Sequence, residues 1–125
     1  MLGDHPIRAT IPATDMARAR AFYVDVLGLK VVEENPEGVE FESGGVGFGI
    51  YPTRAAAGSG ATVATWEVPN LETEMKELRN RGLQFDDYDL PNFKTVNGIA
   101  EIEGYRGAWF KDSEGNVLSL VQRTT

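Results

Sequence analysis

The chain contains no cysteine, which excludes a disulfide framework, a thiolate nucleophile and any cysteine-held metal. Histidine is nearly as scarce. His5 is the single one, so a Ser-His-Asp triad would have to be built on it alone. Basic residues are outnumbered, 12 Lys and Arg against 19 Asp and Glu, for a net charge of −7. Nucleic acid, whose phosphates require a basic face, is therefore not an expected partner. No apolar run approaches the length of a membrane span, so no membrane partner is expected. The opening MLGDHPIRAT lacks the basic-then-apolar pattern of a secretory signal, and a cytoplasmic location is the expectation.

What is present is an ordinary globular composition, 42% hydrophobic over 125 residues, enough for a single domain over residues 1–125. Residues 7–13 alternate apolar and other side chains as a half-buried strand does. Thr14-Asp15 then gives a helix start signal, and Met16, Ala19, Phe22, Tyr23, Val26 and Leu27 follow at helical spacing up to Gly28. Strand-like segments come next at 29–33, 38–42 and 46–51, with turn residues Asn35-Pro36 and Gly44-Gly45 between them.

The same order then recurs. Residues 62–68 alternate, Asn70 can cap, Leu71, Met75 and Leu78 stripe a helix ending at Arg81-Gly82, and 83–85, 104–110 and 116–122 read as strands. Asp15 falls on Asn70 and Gly28 on Gly82, an offset of 54 to 55 residues. The expected class is α+β: two tandem βαβββ modules, about 5–52 and 62–123, joined by a linker at about 53–61. Only the stretch 86–103 breaks the symmetry. It is longer than a connection needs, and it carries Tyr88, Phe93, Ile99 and Ile102, so it reads as a lid over a pocket.

The pattern Asp15-x-x-x-Ala19-x-x-Phe22-Tyr23-x-x-x-Leu27-Gly28 resembles the vicinal oxygen chelate superfamily. So does the closing Phe110-x-Asp112-x-x-Gly115-Asn116-x-x-x-Leu120. That superfamily includes glyoxalase I, extradiol dioxygenases, fosfomycin resistance proteins and bleomycin resistance proteins. The resemblance spans essentially the whole chain and implies curved mixed sheets around a cavity, helices on the outer faces, and a homodimer. It specifies fold more than chemistry, because one scaffold hosts many activities.

Metal-dependent members of that superfamily place ligands on the first and fourth strands of each module. The resemblance maps those positions onto Arg8, Gly49, Val63 and Ser119. Divalent metals require imidazole or carboxylate donors there, so no metal and no cofactor is expected. His5 lies an odd number of residues from Arg8, on the wrong face if the strand extends that far, and reads as solvated.

Strand alternation names the candidate ligand-binding residues. Ile7, Ala9, Ile11 and Ala13 are expected under the first helix, leaving Arg8, Thr10 and Pro12 toward the pocket. Val46, Phe48 and Ile50 are expected to pack outward, leaving Gly47, Gly49 and Tyr51. In the second module Val63, Thr65 and Glu67 face inward with Val117, Ser119 and Val121. Tyr105 and Trp109 share one strand face and are either core or an aromatic wall.

Arg8 could hold a planar anion, or could simply neutralise Glu67, since buried charges must be paired. Glu40 and Glu42 read as a solvated strand edge. The glycines at 44–49 lack both the Lys-Ser/Thr ending and the following helix of a phosphate loop. Three functions follow. The first is metal-independent binding of a small organic ligand by Arg8, Thr10, Gly49, Tyr51, Val63, Thr65, Glu67, Trp109 and Ser119. The second is a metal-free isomerase or lyase using Glu67 or Tyr51. The third is a metal-dependent lyase or dioxygenase with a displaced site.

Overall fold

A computed structural model describes residues 1–54 and 60–124. The chain divides into two compact units, Met1–Ala57 and Gly58–Thr125. Most of the expected linker lies outside the described residues.

In the first unit a 3₁₀ turn (Leu2–Asp4) precedes β1 (Thr10–Ala13) and α1 (Met16–Ala21), which widens into a π-helical turn (Phe22–Val26). β2 (Lys30–Asn35), β3 (Gly38–Ser43) and β4 (Val46–Pro52) follow. Asp15 adopts extended backbone and its carboxylate accepts the Arg18 N–H at 3.0 Å, satisfying one of the donors a helix start leaves orphaned. Gly28, at φ 72°, turns the chain out of the helix as a left-handed glycine does. The sheet order is β1-β4-β3-β2, with β1 parallel to β4 and the other pairs antiparallel. Tyr23 is fully buried and stacks on Phe41 with centroids 5.6 Å apart, while Phe41 stacks on Phe48 at 5.5 Å. These rings, with Ile11, Ala13, Val39 and Ile50, are the core between helix and sheet.

The second unit repeats the plan with β5 (Thr62–Glu67) and α2 (Leu71–Asn80). A small hairpin follows, β6 (Asp89–Leu90) and β7 (Phe93–Lys94), then β8 (Ala100–Ile102), β9 (Tyr105–Lys111) and β10 (Val117–Arg123). The order β5-β10-β9-β8, with β5 parallel to β10, reproduces that of the first sheet. Asn70 caps α2 by accepting the Thr73 N–H at 3.0 Å, and Gly82 has φ 96°. Leu71 and Met75 are buried with Leu118, Leu120, Ala108 and Phe110, and Phe110 stacks on Trp66 at 6.4 Å. The turn before β10 is held by Asp112, whose Oδ1 accepts the N–H groups of Glu114 and Asn116. The fold is thus α+β, with two units of matching topology.

Four expectations change. Residues 83–85 form no strand. Only the Asp86 N–H reaches β9, at the Trp109 carbonyl, and β8 takes the edge because a tight turn at Glu103-Gly104 folds it directly against Tyr105–Gly107. β1 starts at Thr10, so Ile7 and Ala9 are solvent-exposed and only Ile11 and Ala13 are core. Val46 is likewise exposed, next to the Gly44-Gly45 turn. Finally β3 is an inner strand, so Glu40 does not sit on an edge.

Candidate functional site

Each sheet packs its helix on one face, and the sequence-derived site residues lie on the opposite face. In the first unit Thr10 stands beside Gly49, and Pro12 beside Tyr51, in the β1–β4 register. Glu40 flanks Gly49 from the other side. Arg8 Nη1 lies 3.5 Å from Glu40 Oε2, with Glu40 the less exposed partner. A Cβ at Gly49 would sit 3.0 Å from Glu40 Oε1, and one at Gly47 would sit 3.7 Å from Arg8 Cδ. The two glycines therefore make room for this ion pair. A concavity of about 400 Å³ opens beside it, lined by His5, Arg8, Thr10 and Glu40 among others. His5 thus borders the candidate site although its side chain is exposed. Tyr51 is half-exposed at the end of β4.

In the second unit the hydroxyls of Thr65 and Ser119 meet at 2.7 Å across the parallel β5–β10 pair, and Ser119 is buried. Trp109 stands in register with Ser119 on the other side. Glu67 accepts from Arg123 Nε, both partners being well exposed. Within each unit, Arg8 thus faces Glu40, and Glu67 faces Arg123. Thr65, Glu67, Tyr105, Val121 and Arg123 line a shallow concavity of about 300 Å³. Val63 is an exposed apolar residue at the start of β5.

The asymmetric segment closes one side of this face. Tyr88 and Phe93 pack edge-on against Trp109, with centroids 6.2 and 5.0 Å away. They also touch each other at 5.4 Å. The Trp109 ring lies over Gly107, where a Cβ would come within 2.9 Å of it. Trp109 is half-buried and forms one aromatic cluster with Tyr88 and Phe93.

Glu40, Arg123, Tyr88 and Phe93 were not named as site residues from sequence. Arg123 could have been, since it continues the Ser119–Val121 alternation. The position of Glu40 follows only from knowing that β3 lies beside β4.

The four positions at which the superfamily holds metal do not fit one. Arg8 offers a cation already facing Glu40, Gly49 and Val63 offer no donor, and the Ser119 hydroxyl is shared with Thr65. Divalent ions in protein sites need several carboxylate or imidazole donors converging. Among the described residues no group of three or more His, Cys, Asp or Glu side chains is placed to hold an ion.

Comparison with known proteins agrees with this architecture. The profile of the Glyoxalase/Bleomycin resistance protein/Dioxygenase superfamily matches residues 5–120, and the chain belongs to that superfamily. Among solved structures it is similar to a fosfomycin resistance protein from Listeria monocytogenes, with TM-score 0.72 and 11% identity over 96% of this chain and 93% of that one. It is also similar to an antibiotic binding protein from a Streptomyces species, with TM-score 0.70 and 18% identity over 96% of both chains. A lactoylglutathione lyase from Agrobacterium tumefaciens gives TM-score 0.63 and 20% identity over 94% and 92%. At these identities the likeness is one of fold. No curated protein matches the chain by sequence. No helix among the described residues is long and apolar enough to cross a membrane.

Proposed function

We propose that this protein binds a small organic molecule without a metal, as a cytoplasmic homodimer whose two units form one folding domain. The observation that carries this reading is the replacement of metal-ligand positions by groups already satisfied within the protein. Thr65 and Ser119 close on each other at 2.7 Å, and Gly49 makes room for the Arg8–Glu40 pair. Trp109, extended by Tyr88 and Phe93, supplies the flat apolar wall on which small-molecule sites depend. Thr10, Tyr51, Val63 and Glu67 complete the candidate contact set. The surplus of carboxylates favours a neutral or cationic aromatic ligand. One protein of similar fold is an antibiotic binding protein, which supports this reading by analogy of fold.

An isomerase or lyase would need a positioned acid or base. Glu67 is instead solvated and held by Arg123, which is why binding is preferred over catalysis.

The test combines elemental analysis of protein purified without chelators with thermal unfolding in the presence of bleomycin and other cationic aromatic antibiotics. Ligands that bind the folded state raise the melting temperature by mass action. A raised Tm that is indifferent to EDTA, lost in Trp109→Ala, and accompanied by chemically unchanged ligand is the expected result. A stoichiometric divalent metal would overturn metal independence, and conversion of the ligand would establish an enzyme. Light scattering in solution reads the oligomeric state directly.

A further inference from the structure

We propose that the second unit carries a separate ligand site on the side of its sheet that bears α2, and that this site takes a small amphipathic anion, a carboxylate or sulfonate on an apolar body. A cleft of about 550 Å³ lies between α2, β9 and the segment that follows β7, lined by Met75, Arg79, Lys94, Val96, Ile99 and Arg106 among others. Its apolar part graduates from Met75, which is buried, through Ile99 to the exposed Val96. None of the residues assigned above to the ligand-binding sheet face takes part in it, so it stands independently of that reading.

The charge in the cleft is opposite to that of the whole chain. Three cations and two carboxylates line it, in a protein of net charge −7. Both carboxylates are already engaged. Arg106 grips Glu72 through Nη1 and Nη2, each at 2.8 Å, and donates to Glu101 through Nε at 3.0 Å. Arg79 Nη2 donates to the Asn97 carbonyl, and its guanidinium lies over the Phe85 ring at 5.2 Å. The Lys94 ammonium makes no side-chain hydrogen bond or ion pair among the described residues, and Asp89 stands opposite it in the β6–β7 register. The lining therefore carries a net charge of +1, and of its three cations Lys94 is the one whose side chain has no partner, beside an apolar surface. That combination is complementary to an anionic head on an apolar body.

The cleft is also built in advance of any ligand. Val96 and Ile99 exchange backbone hydrogen bonds of 2.8 and 3.1 Å around Asn97-Gly98, which take φ of 55° and 81°. These are the two positive values that a two-residue hairpin turn requires. The Gly98 N–H donates to Asp87 Oδ1 at 2.9 Å. A Cβ at Gly98 would come within 3.3 Å of Met75 Cε and 3.2 Å of Arg79 Nη2. The wall is thus seated on α2, and a ligand would not have to bear the cost of ordering it.

The test uses the intact protein and the fluorescent anion 8-anilinonaphthalene-1-sulfonate, with methyl resonances of Val96 and Ile99 as reporters of place. Expected are saturable binding, shifts of those two methyl groups, and a loss of affinity of roughly fivefold or more in Lys94→Glu, the scale of an exposed ion-pair contact that is reversed. Lys94→Arg is expected to retain binding. Because Lys94 is exposed, neither variant should disturb the fold, and unchanged circular dichroism verifies that. The proposal is overturned by the absence of saturable binding, by a smaller loss in Lys94→Glu, or by shifts confined to Val63 and Val121 on the other face.

Discussion

The two units differ in what happens after the helix. In the first, the chain turns at Gly28 and is already paired as β2 from Lys30; in the second it turns at Gly82, touches β9 through the Asp86 N–H, and forms its edge strand only from Ala100. Both routes end in the same place, an edge strand antiparallel to its neighbour. The longer route adds a hairpin, places Tyr88 and Phe93 on Trp109, and seats Gly98 against α2. The topology is therefore conserved between the units while the surfaces around it are not. Of the features proposed for ligand contact, the Tyr88 and Phe93 rings and the Val96–Ile99 wall of the cleft are those that the broken symmetry supplies.

The comparison is sharpened most strongly in the cores, where the units should behave alike. Tyr23→Ala removes a fully buried ring from the first unit, and Phe110→Ala one from the second. Each is expected to cost about 3–5 kcal/mol, the transfer and cavity penalty of a large aromatic. Urea unfolding measures both. Two variants of similar cost, each melting in one transition, would match the single folding domain proposed above. Two separate transitions would break that part of the comparison.

A smaller effect isolates the inserted turn from the helix end it follows. Gly82 and Gly98 both have positive φ, but a Cβ at Gly82 meets nothing within 4 Å, whereas one at Gly98 meets Arg79, Phe85 and Met75. Gly82→Ala should show only the conformational cost, about 1–2 kcal/mol for a left-handed non-glycine residue. Gly98→Ala should exceed it, because the seat of the turn on α2 must also shift. Equal losses in chemical denaturation would mean that the turn is not seated in solution.

The helix caps come next, and there the units should again agree. Asp15→Ala and Asn70→Ala each remove one side-chain acceptor at 3.0 Å from an N-terminal N–H, for about 1 kcal/mol apiece. These caps were legible in the sequence because capping is local. The acceptor and its N–H lie three residues apart, and Gly28 and Gly82 close the same short span. The succession of strand segments along the first unit was legible for the same reason, since turn residues such as Gly44-Gly45 separate them. It failed at residues 83–85, whose pattern suits a strand but whose pairing is decided by the tight turn at Glu103-Gly104.

The ion pairs were illegible for a different reason. Alternation reads Arg8 and Glu67 as inward-facing charges, which need partners. Which carboxylate answers Arg8 depends on β3 lying beside β4 and on Gly49 leaving space for the Glu40 side chain. That is a tertiary fact which no periodicity carries.

The smallest expected effect concerns how each helix is tied to its sheet by charge. Arg20 of α1 reaches Glu34 of β2 at 3.0 Å, while Glu72 of α2 is reached by Arg106 of β9 at 2.8 Å, so the signs are exchanged between units. The second tie is the tighter. Arg106 is the more sheltered cation, contacts Glu72 through two nitrogens, and is braced by Glu101. The hydrogen bonds from Arg106 hold the Glu72 carboxyl below its ordinary value of 4.5. A carboxylate whose pKa is lowered by folding stabilises the fold above its unfolded value, and that contribution disappears as pH falls through the folded value. Wild type and Glu72→Gln should therefore differ modestly in Tm at neutral pH, and the gap should close on acidification below the ordinary carboxylate range. The difference should also shrink in high salt, as exposed pairs do. A gap that persists unchanged in strong acid would show that Glu72 contributes through packing of its stem rather than through its charge. The tie between α2 and β9 would then be no stronger than its counterpart in the first unit.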